Sequence, residues 1–129
     1  CKAVHVVSSE ADNNEWSTNW TFNDATLYIN GTPLFVNMSS TYHHNVVPEM
    51  HCSVLPHDAL STVSTFTWPF CLTMNKSQPT GSLNFSRIDS AKLSLNGTTT
   101  RNGDMVRTYA VNYNILRIKD GMGGVAFAN

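Results

Sequence analysis

The chain has 129 residues, of which 14 are Asn, 14 Thr and 13 Ser, whereas Asp, Glu, Lys and Arg together make up only 13%. Eight Lys+Arg against nine Asp+Glu leave a net charge of -1 with no run of like charge, so the basic footprint that a nucleic-acid backbone requires is missing. The longest stretch without formal charge, Ala25 to Pro48, is broken by Asn, Ser, Thr, Pro and His, and no segment offers a bilayer the roughly 20 apolar residues of a spanning helix.

A hydrophobic share of 41% is too high for a disordered chain and suits one domain with a modest core. Asn, Thr and Ser compete with helical hydrogen bonding, while Thr, Val, Ile, Tyr and Phe fit a pleated surface, so strands are expected throughout and no helix. In chain order, alternation marks a first strand at Lys2–Val7 and a second at Asp24–Asn30, closed by the turn dipeptide Asn30-Gly31. Between them Ser8–Thr21 reads as a long surface loop, as does Ser40–Pro56 further on. Pro69 restricts Phe66–Leu72 to an edge, a strand start or a bulge. Ala91–Leu95 is the next strand, followed by Asn96-Gly97 and Asn102-Gly103 turns. Met105–Ile118 gives the strongest signal: Tyr109, Val111, Tyr113 and Ile115 share one face, and one long core strand is expected, bulged or met by polar partners at Asn112 and Asn114. Asp120-Gly121 supplies a last tight turn. Seven or eight strands with hairpin turns imply an all-β jelly-roll or Greek-key β-sandwich.

Potential chemistry is confined to one stretch, His43, His44, His51, Cys52, His57 and Asp58. Adjacent histidines on an extended chain point to opposite sides, and the spacings match no standard zinc site, so loop histidines are the expected reading. Cys52 beside His51 is adjacency only, and a buried apolar thiol is expected. Cys1, Cys52 and Cys71 contain no CxxC pair and cannot all pair internally, which favours a reducing compartment. Arg87 and Asp89, two apart, would share a strand face as a structural pair. Gly121-Met122-Gly123-Gly124 opens no helix and reads as a turn rather than a phosphate loop. No catalytic, cofactor-binding or metal-binding set is expected. Six Asn-x-Ser/Thr sequons occur, at Asn19, Asn30, Asn37, Asn75, Asn84 and Asn96, as candidate glycosylation sites. Trp16, Trp20 and Trp68 would make a carbohydrate-binding platform if they were exposed together.

The run Gln78-Pro79-Thr80-Gly81-Ser82-Leu83-Asn84-Phe85-Ser86-Arg87-Ile88-Asp89, followed by Ala91-Lys92-Leu93-Ser94-Leu95, resembles a signature of the major capsid proteins of large eukaryotic double-stranded DNA viruses, the algal viruses and iridoviruses among them. Tyr109 to Ile118 and the ending Gly121 to Asn129 continue the resemblance, and Asp24–Phe35 resembles an earlier strand and turn more weakly. The resemblance implies a double jelly-roll subunit, three of which form a pseudo-hexagonal capsomer in an icosahedral shell. Residues 1–129 would then be the C-terminal jelly-roll domain, covering most of that second barrel but not all of it and lacking the first barrel, an expectation that agrees with Cys1 in place of an initial Met. It further implies a non-enzymatic structural protein of the virion, assembled in the infected host cell. Its partners would be other copies in trimers and neighbouring capsomers, together with minor capsid proteins, with no direct contact to nucleic acid.

Overall fold

In the computed structural model, residues 1–9, 20–52, 65–99 and 105–127 are described. They form eight strands: β1 (Ala3–Ser9), β2 (Asp24–Ile29), β3 (Thr32–Ser39), β4 (Thr65–Pro69), β5 (Ala91–Asn96), β6 (Met105–Val111), β7 (Leu116–Lys119) and β8 (Met122–Val125). All strand pairs are antiparallel. Two three-stranded sheets have the orders β4-β1-β6 and β3-β2-β5, and β7-β8 is a separate hairpin. The all-β expectation holds, with β1, β2 and β5 within a residue or two of their predicted bounds.

The turns explain the hairpins. Asn30 and Gly31 take φ of 49° and 79°, and Asp120 and Gly121 take 52° and 76°, so both pairs are left-handed, the twist that matches right-twisted strands. Register then follows: Ile29 opposes Thr32, and Lys119 opposes Met122. Pro69 ends the edge strand β4, as its missing N–H requires.

Three expectations fail. The long strand over Met105–Ile118 is two strands in different sheets, β6 and β7, with residues 112–115 outside both. Asn114 makes the break: its side chain accepts from the N–H groups of Ile115 and Phe127 and donates to the Phe127 carbonyl, a local hydrogen-bonding alternative to a continuing ladder. That strand is also not the core, since Tyr109, Val111 and Ile115 are 46%, 44% and 58% exposed and Tyr113 is half-buried beneath Lys2, whose Nζ sits 4.7 Å from the ring centre. Finally, part of the second long loop is helical. Tyr42–Val46 is a π-turn that runs into α1 (Val47–Cys52) without a break in helical backbone, so Pro48 lies inside the helical segment, where it has no N–H to donate to the preceding turn.

The core is aromatic and lies between the two sheets. Trp20, Phe22, Phe66 and Trp68 are at most 4% exposed and join Val6, Ala25 and Leu27 in one cluster. Phe22 is its hub, with ring centres 4.6 Å from Phe66, 5.9 Å from Trp20 and 6.2 Å from Trp68. Truncating it removes contacts that neither sheet can rebuild by collapse. Phe22→Ala is expected to cost about 3–5 kcal/mol in urea unfolding followed by tryptophan fluorescence, and a loss below about 1 kcal/mol would contradict this packing.

Candidate functional site

The histidines are brought together by the helical segment, against one sheet edge. β4 alternates its carbonyls along the strand: the Phe70 N–H bonds inward to the Lys2 carbonyl, so Thr65, Thr67 and Cys71 present theirs away from β1. Each of these outward carbonyls takes an imidazole. His44 Nδ1 bonds the Thr65 carbonyl at 2.7 Å, His43 Nδ1 the Thr67 carbonyl at 2.9 Å, and His51 Nδ1 the Cys71 carbonyl at 2.9 Å and the Leu72 carbonyl at 3.1 Å. A carbonyl only accepts, so each Nδ1 carries the proton. Pro69, the remaining outward position, has no N–H to satisfy. The three rings thus stand where a neighbouring strand would otherwise donate. Helical backbone makes this possible: it turns His43 and His44 toward the same strand, whereas extended residues would diverge.

His43 is fully buried and stacks on Trp68, ring centres 4.3 Å apart, with Phe22, Phe35 and Tyr42 around it. Its Nε2 has no hydrogen-bond partner among the described residues, the state expected of a neutral ring. Burial pushes its pKa down, and the Thr67 carbonyl pulls it part of the way back. His5, whose Nδ1 lies 2.9 Å from Thr67 Oγ1, is also pushed down by burial. Thr67 therefore holds one histidine with its carbonyl and another with its hydroxyl.

The remaining candidates form no reactive centre. His57 and Asp58 lie outside the described residues, and no cluster of three or more His, Cys, Asp or Glu suited to a metal occurs among those described. The Cys52 thiol contacts the Met74 sulfur at 3.4 Å, and burial, with the Cys71 thiol nearby, pushes its pKa up, the opposite of what a nucleophile needs. Cys1, Cys52 and Cys71 are free thiols. Trp20 and Trp68 are each 1% exposed in the core, which removes them from any sugar-stacking platform, and Trp16 lies outside the described residues. Arg87 is in a 3-10 turn, Phe85–Arg87, and not on a strand, while the Asp89 N–H donates to Asn30 Oδ1.

The sequons do not converge either. Asn30 ties the β2–β3 turn to the start of β5 by accepting from Asp89 and Ser90, Asn84 caps the turn at Ser86, and Asn96 donates to Asp24. Asn37 takes a φ of 50° in β3, Asn75 is exposed on the segment after β4, and Asn19 lies outside the described residues.

Comparison with known proteins places these features. Residues 2–124 match the family model of the large eukaryotic DNA virus major capsid protein. The chain is 42% identical over 109 residues to a major capsid protein of Phaeocystis pouchetii virus, an alignment that covers 81% of this chain and 20% of that protein. It is 34% identical over 127 residues to one of Pyramimonas orientalis virus, covering 84% and 32%, and 28% identical over 158 residues to that of Paramecium bursaria Chlorella virus 1, covering 100% and 35%. The chain therefore spans about a fifth to a third of the length of these relatives. A quasi-atomic model of the PBCV-1 virus capsid shares the fold, with a TM-score of 0.70 at 21% identity over 99% of this chain and 43% of that one. The fold is the jelly-roll sandwich.

The buried ring gives a pH dependence with a definite sign. With the folded-state pKa below the unfolded value of about 6.5, the unfolded chain binds more protons as acid is added, so stability is complete above about pH 6.5 and falls below it. His43→Phe, which keeps the stack on Trp68, is expected to flatten the decline in urea midpoint between about pH 7 and 5 and leave a smaller slope from His5. An unchanged slope in that variant would show that His43 is not held neutral.

Proposed function

The chain belongs to the major capsid protein family of large eukaryotic DNA viruses, and we propose that it is a structural part of such a protein, the C-terminal jelly roll of a two-barrel subunit that builds an icosahedral shell in the virion. Family membership carries this reading, and the geometry supports it. The polar and titratable side chains that resemble chemistry in the sequence are spent on the fold: His43, His44 and His51 hold a strand edge, Asn30 and Asn114 staple turns, and the Cys52 thiol packs on a methionine. A shell protein needs rigidity and self-complementary surfaces rather than a cleft, and a net charge near zero allows many copies to pack without mutual repulsion. The single barrel is consistent with the 43% share of the PBCV-1 capsid chain that it matches.

In this reading three subunits form a capsomer with pseudo-sixfold outline, and neighbouring capsomers and minor capsid proteins are the partners. The polypeptide is assembled in the infected host cell and acts as a building block, not as an enzyme. A sugar-binding role, the other use of a jelly-roll sandwich, finds no support in Trp20 and Trp68, which fill the core.

Expression of the full-length polypeptide tests the proposal by light scattering and electron microscopy. The expected product is a trimer that forms hexagonal plates or closed shells. A stable monomer at high concentration, with no ordered assembly, would overturn the reading.

A further inference from the structure

The helical segment that covers β4 is held to the sandwich by side chains and not by a ladder. Among the described residues a single backbone–backbone hydrogen bond joins it to the β4 side, from the Met74 N–H to the His51 carbonyl at 2.8 Å. The rest of the attachment is the set of imidazoles on the Thr65, Thr67, Cys71 and Leu72 carbonyls, the buried Val47 and Pro48, and the contact of the Cys52 thiol with Met74. Such a segment can come away without either sheet losing a rung.

The three imidazoles differ in what a second proton does to them. Each already carries one on Nδ1, so the next goes to Nε2. On His44 and His51, both half-buried, Nε2 is not sealed from solvent, and a charged ring keeps and strengthens its bond to the carbonyl. His43 is different. It is 0% exposed, and its Nε2 is sealed with no hydrogen-bond partner among the described residues. Around it stand Trp68, Tyr42, Phe35 and Phe22, at 4.3, 5.1, 6.0 and 6.5 Å between ring centres.

The electrostatic surroundings give that second proton no compensation. β3 and β4, the strands packed on the ring, contain no ionisable side chain. The titratable groups nearby are Tyr42, His44, Glu49, His51 and Cys52 on its own segment and His5 on β1, which is bonded to the Thr67 hydroxyl. Glu49, the one carboxylate among them, is exposed. The Trp68 face attracts a cation, but burial takes away more than the ring face and the Thr67 carbonyl return, and the pKa of His43 stays below the ordinary histidine value.

We propose that Tyr42–Cys52 is an acid-released clasp: a proton on His43 Nε2 drives the segment off β4 while the strand ladders stay paired, which bares the carbonyls of Thr65, Thr67 and Cys71 and one face of Trp68. The clasp stands independently of the capsid reading. Once open, the ring regains its ordinary pKa of about 6.5, so release becomes up to about tenfold more favourable for each pH unit below that value and is unaffected above it. In a subunit that works through its surfaces, the β4 edge is then a surface available only in acid.

Amide hydrogen exchange of the full-length polypeptide tests this, read by mass spectrometry between about pH 7.5 and about pH 5 and corrected for the intrinsic pH dependence of exchange. The expected result is an opening equilibrium for residues 42–52 that rises at least about tenfold over this range, while peptides from β1, β2 and β5 keep their protection. His43→Phe, which keeps the ring stack and takes no proton, is expected to remove the rise, and His5→Gln to leave it in place. Where His43→Phe does not fold, His43→Asn, whose amide can donate to the Thr67 carbonyl, replaces it with the same criteria. Opening of residues 42–52 that ignores pH, that rises only together with β1 and β2, that persists without His43 or that is lost without His5 would each overturn the proposal.

Discussion

Everything in this sandwich depends on how the backbone of a sheet edge is satisfied. A strand at the edge has N–H and C=O groups with no ladder partner, and those next to a core cannot be left to water without exposing the core as well. At β4 the solution is a set of imidazoles on the outward carbonyls of Thr65, Thr67 and Cys71. The segment that supplies them also buries Val47 and Pro48 and places His43 against Trp68, so edge and core are closed by the same residues. Loss of that segment would open both.

The arrangement joins fold to function through what it leaves free. Histidines that bond carbonyls through Nδ1 are committed to one tautomer, and a thiol whose pKa is pushed up by burial is inert. What remains available is surface: the half-exposed β6 and the β7–β8 hairpin. On that hairpin Leu116 opposes Val125 and Ile118 opposes Gly123, giving one apolar face, while Arg117 and Lys119 lie on the other. A subunit that works by packing against polypeptide needs such faces more than it needs a pocket.

Much of this was legible in the residues, and the failures have physical causes. β1, β2, β5 and the turns at Asn30-Gly31 and Asp120-Gly121 follow from local alternation and from residues that tolerate positive φ. The break after Val111 was hidden because Tyr113 and Ile115 continue the alternation of β6, and only the contacts of Asn114 with Phe127, 13 residues away, end the strand. The helical segment lacks an apolar period long enough to read. Its signals were Pro48 followed by Glu49 in a first turn and His51 in the last, a weak pattern for six residues. The role of the histidines could not be read at all, since it depends on β4, some 20 residues further along the chain. The capsid resemblance was carried by long specific runs, and the match over residues 2–124 agrees with it.

The most direct measurement is a cryo-electron microscopy map of the native full-length polypeptide at side-chain resolution. The account predicts His43, His44 and His51 on the outward carbonyls of Thr67, Thr65 and Cys71, along β4 and just beyond it. A strand of any origin paired to the outer edge of β4 in place of the histidines would contradict it.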